Sequence, residues 1–252
     1  DVYKRQILYL IDSGGCERAG ITHGDIFNSY TGDGGLHGLE RADYDSYHAY
    51  SEAKKAAENG QFFTPPPLCE FVAACLKLSD MDLVADLTCG MGNFFNYVPV
   101  PANAYGCELD TKAYKVARHL YPEANLTLGD IRTYEPEPRF DCVLGNPPYH
   151  LRWHLEDGTE LLSHLYYCLK AAKLLKPLGI LAVIVPRSFL ADEFTDGAAI
   201  KRMEEQFAFL GQIGLPANLF RAFGVDNFPT KLQFWQKKSS FLTGISGRYT
   251  TE

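Results

Sequence analysis

Short apolar runs alternate with helical stretches through the middle of this 252-residue chain, and that alternation restricts its fold more than any other feature. "LVADL" (83–87), "AYGCEL" (104–109), "LTLGD" (126–130), "FDCVLG" (140–145) and "GILAVIVP" (179–186) read as buried strands. "TKAYKVARHLY" and "ELLSHLYYCLKAAKLLK" lie between them with helical spacing. Strands that alternate with helices build a parallel sheet covered on both faces. "FLGQIGLP" and "KLQFWQKK" read as two further strands, with a loop and no long helix between them. They predict an antiparallel pair at the end of the sheet. The expected class is α/β: a mostly parallel seven-stranded sheet with an antiparallel last strand and helices on both faces.

Ahead of the sheet, Pro65-Pro66-Pro67 marks a helix entrance, with Thr64 as its N-cap and "LCEFVAACLKL" as the helix. "ERADYDSYHAYSEAKKAAENG" reads as a solvent-facing helix closed by Gly60. Residues 7–38 are rich in glycine and polar residues, with weak periodicity. The opening "DVYKRQ" looks like translated adapter read-through and is set aside. The expected organisation is an artefact at 1–6, a partly helical extension at 7–59, the α/β domain at 60–238 and a truncated tail at 239–252.

Of the residues, 46% are hydrophobic, enough for a substantial core. No apolar run approaches the ~20 residues that span a bilayer, so no membrane partner is expected. Seven cysteines, none spaced as CxxC, predict buried thiols in a cytoplasmic protein, with neither disulfides nor a metal site. The net charge of −7 argues against indiscriminate nucleic-acid binding. Yet residues 139–252 carry 13 Lys+Arg against 11 Asp+Glu, whereas the first 138 carry 11 against 20. Arg152, Arg187, Arg202, Arg221 and Lys231 are either solvated surface or a mildly basic face around a site.

Ligands of open α/β sheets bind beyond the carboxyl ends of the strands. Here every strand end carries polar or conformationally special residues. The first is followed by Thr88-Cys89-Gly90-Met91-Gly92, a G-x-G turn without the third glycine of a dinucleotide site. A ligand without phosphate fits such a turn better, and Asp86 just before it disfavours phosphate and favours a cation. Glu108, with Leu109, ends the second strand, where an acid accepts hydrogen bonds from ribose hydroxyls. Asp130 and Ile131 end the third, offering an acceptor to an adenine amine and an apolar flank. Asn146-Pro147-Pro148-Tyr149 ends the fourth and cannot continue a strand, since two successive residues lack an N–H.

These residues resemble the S-adenosylmethionine site of class I methyltransferases, which are Rossmann-like. "NPPY" narrows the resemblance to the N-6 adenine DNA methylases, whose hallmark is [DNS]-P-P-[YFW]. "GQFFTPPPL" (60–68) resembles the F-x-T-P segment of type I modification subunits and related gamma-class enzymes. That resemblance implies that Gln61, Phe63 and Thr64, with Cys89, Gly90 and Gly92, surround the cofactor. "GLPANLF…NFPTKLQFWQKK" resembles the closing strand pair. There Phe228 either supports the flipped base or packs in the core beside Phe220, Phe223 and Phe234.

The family chemistry implies a role for each residue of NPPY. The exocyclic amine of adenine is a poor nucleophile because its lone pair is delocalised. Asn146 Oδ1 and the Pro147 carbonyl each accept one N–H, Pro148 helps hold that carbonyl still, and Tyr149 stacks on a base flipped out of the duplex. The expected activity is site-specific adenine-N6 DNA methylation with S-adenosylmethionine. The partners are DNA and a separate target-recognition subunit or downstream domain. Alternatives are methylation of an RNA amine or a protein glutamine amide, a catalytically silent DNA-binding subunit, and an NAD-dependent oxidoreductase.

Overall fold

Seven strands form one sheet in the computed structural model, which describes residues 2–30, 44–46, 48–49, 63–149, 151–154, 158–191, 197–220 and 227–239. They are β1 (Val84–Asp86), β2 (Ala104–Glu108), β3 (Asn125–Leu128), β4 (Phe140–Gly145), β7 (Leu175–Pro186), β8 (Phe207–Gly214) and β9 (Thr230–Lys237). A separate hairpin holds β5 (Arg152–His154) and β6 (Glu160–Leu162). The order across the sheet is β3-β2-β1-β4-β7-β9-β8. Neighbours from β3 to β7 are parallel, and β9 runs antiparallel to both β7 and β8.

The continuous apolar run of β7 follows from burial on both faces. Ala182 and Ile184 join one core, with helices α1 (Val2–Ser13), α2 (His23–Ser29), α3 (Pro66–Leu76) and α4 (Thr111–Leu120) on that side. Leu181, Val183 and Val185 join the other core, under α5 (Ser163–Leu174) and α6 (Gly197–Gln206). The order reverses between β1 and β4, so the loops after these two strands diverge and leave a crevice.

One side chain from α5 fills the base of that crevice. The buried Tyr167 hydroxyl donates to the Leu144 carbonyl at 2.7 Å and accepts the Leu87 N–H at 3.2 Å. The Asp86 carboxyl lies 3.3 Å from it. Gly145 has no room for a Cβ, because the Tyr167 hydroxyl already occupies that space.

Several elements differ from the sequence expectation. Helix α1 begins at Val2, inside the segment set aside as read-through, and its Lys4 carbonyl accepts the buried Tyr30 hydroxyl at 2.9 Å. Helix α2 starts with a capping box: the Asp25 N–H donates to Thr22 Oγ1 at 3.1 Å and the Thr22 N–H to Asp25 Oδ2 at 2.8 Å. Thr64 does not cap α3; Pro65 holds that position, without a side-chain bond. The helix expected over 160–176 gives its first three residues to β6, because they pair with β5. Helix α6 was not anticipated; of its side chains only Met203 is buried, so its apolar stripe is thin. The helix expected to end at Gly60 and the tail beyond residue 239 lie almost wholly outside the described residues.

Tyr167→Phe should leave the Leu144 carbonyl and the Leu87 N–H unpaired, a penalty of about 1–3 kcal/mol. Urea unfolding should show that loss as a lower midpoint at unchanged slope. An unchanged midpoint would remove the hydroxyl from this role.

Candidate active site

Beyond the carboxyl ends of β1 to β4 lies a cavity of about 290 Å³. Each strand supplies part of its wall: Leu87, Thr88 and Gly90 after β1, Glu108 and Leu109 at β2, Asp130 and Ile131 after β3, Asn146 and Pro148 after β4. Phe63 closes one side. The residues singled out separately along the chain therefore meet in one space.

Glu108 is buried at the tip of β2. Its Oε2 accepts the Gly90 N–H and its Oε1 the Asp110 N–H, both at 2.7 Å. A carboxylate oxygen can accept more than one hydrogen bond, so a ligand hydroxyl can donate to it as well. Burial raises the carboxyl above its usual range, and backbone hydrogen bonds from Asp110, Gly90 and Leu109 partly oppose that rise. Gly90 has φ +58°, and a Cβ there would sit 2.8 Å from the Phe63 ring. The Thr64 carbonyl accepts from Asn93 Nδ2 at 2.8 Å. The 63–64 segment is thus fastened onto the glycine turn at two points.

Other predicted residues support the cavity without lining it. Asp86 sits beneath the turn, where its Oδ1 accepts the Thr88 N–H at 3.1 Å, and burial pushes its carboxyl up to about 7. Gly92 has φ +84° and packs against the Phe95 and Tyr121 rings. Cys89 is buried behind the turn, where its N–H donates to the Cys107 carbonyl at 3.0 Å. Gln61 lies outside the described residues. Asp130 does line the cavity, but Arg132 Nε contacts both its oxygens at 3.0 Å, which holds the carboxyl below its usual range. Leu109 is 64% exposed at the mouth, and Ile131 is buried in the wall.

The loop after β4 is braced from behind. Ser163 Oγ donates to the Pro148 carbonyl, and Pro147 is buried and does not line the cavity. The Tyr149 hydroxyl donates to Asn146 Oδ1 and lies 3.3 Å from the Ile184 carbonyl. The Tyr149 and Phe228 rings stack on each other, centroids 5.5 Å apart and planes 19° from parallel. The two rings expected on opposite faces of a base are in mutual contact here, leaving no gap between them for a third ring.

Sequence reading missed Leu151, Trp153 and Arg132, which also line the cavity, and the bracing residues Ser163 and Tyr167. Only the β5–β6 pairing brings Trp153 to the wall, and no motif announced it. Of the cations considered as a basic face, Arg152 pairs with Glu160 and Arg221 lies outside the described residues. Lys231 is 2% exposed and its ammonium has no hydrogen-bond partner among the described residues.

The sequence pattern of the N-6 DNA methylase family matches residues 44–241. The chain belongs to that family. The chain is 25% identical over 213 residues to the defense against restriction protein B of Escherichia phage P1, covering 79% of this chain and 8% of that protein. It is 25% identical over 158 residues to the type II methyltransferase M.CvrRI of Paramecium bursaria Chlorella virus XZ-6E, covering 59% of this chain and 41% of that one. The chain spans less than half the length of these curated relatives. A type I restriction-modification methyltransferase subunit from Streptococcus thermophilus shares the fold, with a TM-score of 0.60 and 24% identity over 76% of this chain and 49% of that one.

The fold is that of class I methyltransferases, and S-adenosylmethionine is the cofactor. The cavity suits it. Gly90 lets a ligand approach the backbone, Glu108 offers acceptors, and Thr88 Oγ1 is buried without a hydrogen-bond partner among the described residues. Arg132, the one cation on the wall among the described residues, is already engaged by Asp130.

Glu108→Ala should weaken S-adenosylmethionine binding by about 1.5–3 kcal/mol, the value of hydrogen bonds to a charged group. Calorimetry giving parental affinity would exclude Glu108 from the site. Lys231 yields a second expectation. Burial and the nearby Arg187 push its ammonium down to about 8. Between that pH and about 10.4 the unfolded chain binds more protons, so stability rises with pH across the window. Lys231→Met should add about 1–3 kcal/mol at pH 7, a gain that shrinks above pH 8. Equal stability of both proteins at pH 7 would contradict this.

Proposed function

We propose that this chain carries the core of a DNA methyltransferase acting on the exocyclic N6 amine of adenine. The observation that carries the reading is the meeting of Asn146 and Glu108 on one cavity wall, at the ends of strands on either side of the switch point. Bound S-adenosylmethionine supplies an electrophilic methyl group. The chain's own part is to localise the amine's lone pair. Asn146 Oδ1 accepts one N–H and the Pro147 carbonyl, which does not line the cavity in the free protein, accepts the other once the base has entered, which favours a pyramidal nitrogen. The backbone of the loop is held in place: two prolines stiffen it, and Ser163 Oγ donates to the next carbonyl. No strong base is required, because the amine becomes acidic once methylated.

Base entry requires a local exchange. The Tyr149 hydroxyl must release Asn146 Oδ1, and its ring must leave Phe228 to lie against the incoming base. Such an arrangement takes a base already out of its stack. DNA is the proposed partner, acted on in the cytoplasm. Target choice is assigned to a separate recognition element, as fits a core that shares its fold with a type I modification subunit.

The test uses methyl-labelled S-adenosylmethionine, unmethylated genomic DNA and digestion of the product to nucleosides. The label should appear in N6-methyladenine. Asn146→Ala should lower transfer by about 10²–10³-fold, as loss of one preorganised polar group does, while cofactor affinity persists. Tyr149→Phe, which keeps the ring and removes the competing donor, should retain activity. Label in another base, or parental transfer by Asn146→Ala, would overturn the proposal.

A further inference from the structure

The hairpin after the catalytic loop has no part in the chemistry above, yet it reaches the cavity. Trp153 pairs with Leu161 across it, and the Arg152–Glu160 ion pair reinforces it. Its base is pinned where the Ser163 N–H donates to the Leu151 carbonyl at 2.9 Å.

Trp153 is half-buried, and it lines the cavity beside Ile131 and Arg132. Two contacts fix its indole. The Tyr166 ring meets it edge-on, centroids 5.2 Å apart at 77°. The Arg132 guanidinium lies over it, 6.0 Å from the ring centroid, and is itself held by Asp130. An indole held this firmly, with part of its surface left on a cavity wall, suits a flat aromatic ligand. Ile131 and Leu151 give this wall apolar surface and the Arg132–Asp130 pair beside it is self-neutralising, which favours a neutral heteroaromatic ring over a charged group.

Resting on S-adenosylmethionine as the cofactor, we propose that Trp153 is a cofactor-binding residue. Its indole packs against the adenine ring, and Arg132 and Tyr166 are positioning residues that set the indole's angle. The hairpin then acts as the outer wall of the adenine subsite.

The chain has two tryptophans, and Trp235 is fully buried in the sheet core, so a ligand-dependent change in emission reports Trp153. The whole chain is titrated with S-adenosylhomocysteine, with adenosine and with methionine. The first two should change the emission and methionine should not. Trp153→Phe should bind S-adenosylhomocysteine within about threefold of the parent by calorimetry, with the emission change lost. Trp153→Ala should bind roughly tenfold more weakly, within what stacking of a base on an aromatic ring supplies. Parental affinity in Trp153→Ala, or parental emission unaltered by adenosine, would overturn the proposal. The Glu108→Ala arm separates the failures. If it loses affinity while Trp153→Ala does not, the cofactor cavity stands and only the role of Trp153 falls. If neither variant loses affinity, the cavity itself is misassigned.

Discussion

The Tyr167 hydroxyl touches both strands that flank the switch point. Its bonds reach the Leu144 carbonyl on β4 and the Leu87 N–H just past β1, and Asp86 lies beside it. The glycine turn leaves from β1 and the NPPY loop from β4, so a single buried group sets the spacing of two loops that must face one ligand. Gly145 is required for the same reason, because any side chain there would displace the hydroxyl. Without this brace the two walls of the cavity would rest on strand pairing alone. That pairing is short: β1 matches β4 at Val84 and Ala85.

A second constraint is electrostatic. Glu108 and Asp86 are both buried near the glycine turn, and burial raises both carboxyls. Each accepts a backbone N–H of the turn, Thr88 for Asp86 and Gly90 for Glu108, and Glu108 also accepts the Asp110 N–H just past β2. The turn is therefore shaped by the acids it satisfies, which explains why its glycine must approach both a carboxylate and the Phe63 ring. At the other end, Tyr149 satisfies the Asn146 oxygen in the free protein. Asn146 is only partly buried, so this bond contributes modestly to the order of the loop.

Much of this was legible in the sequence because strands buried on two faces spell continuous apolar runs. All seven sheet strands were anticipated, and so was the antiparallel pairing at the sheet's far end, but β3, expected as a buried strand, is an edge strand with mostly exposed side chains. The strand-end residues Glu108, Asp130 and Asn146 were legible because chemistry concentrates at strand ends. Thr64 misled because it precedes three prolines; its carbonyl, not its hydroxyl, is what the structure uses. Helix α1 was missed because its opening residues were set aside as read-through, although Ile7, Leu8, Leu10 and Ile11 pack in the core, and α6 for want of a broad apolar stripe; Thr22-His23-Gly24-Asp25 did carry a capping box for α2. Trp153 and Tyr167 could not be found by motif. Their roles come from contacts far along the chain, Tyr167 being 81 residues from Asp86.

The account rests on the cofactor cavity and the amine-activating loop being two walls of one site. A crystal structure with S-adenosylhomocysteine tests that most directly. The account predicts the ribose hydroxyls on Glu108, the adenine between Ile131 and Trp153, and the thioether sulfur turned toward Asn146. A ligand bound with its sulfur directed away from Asn146, or held outside this cavity, would contradict it.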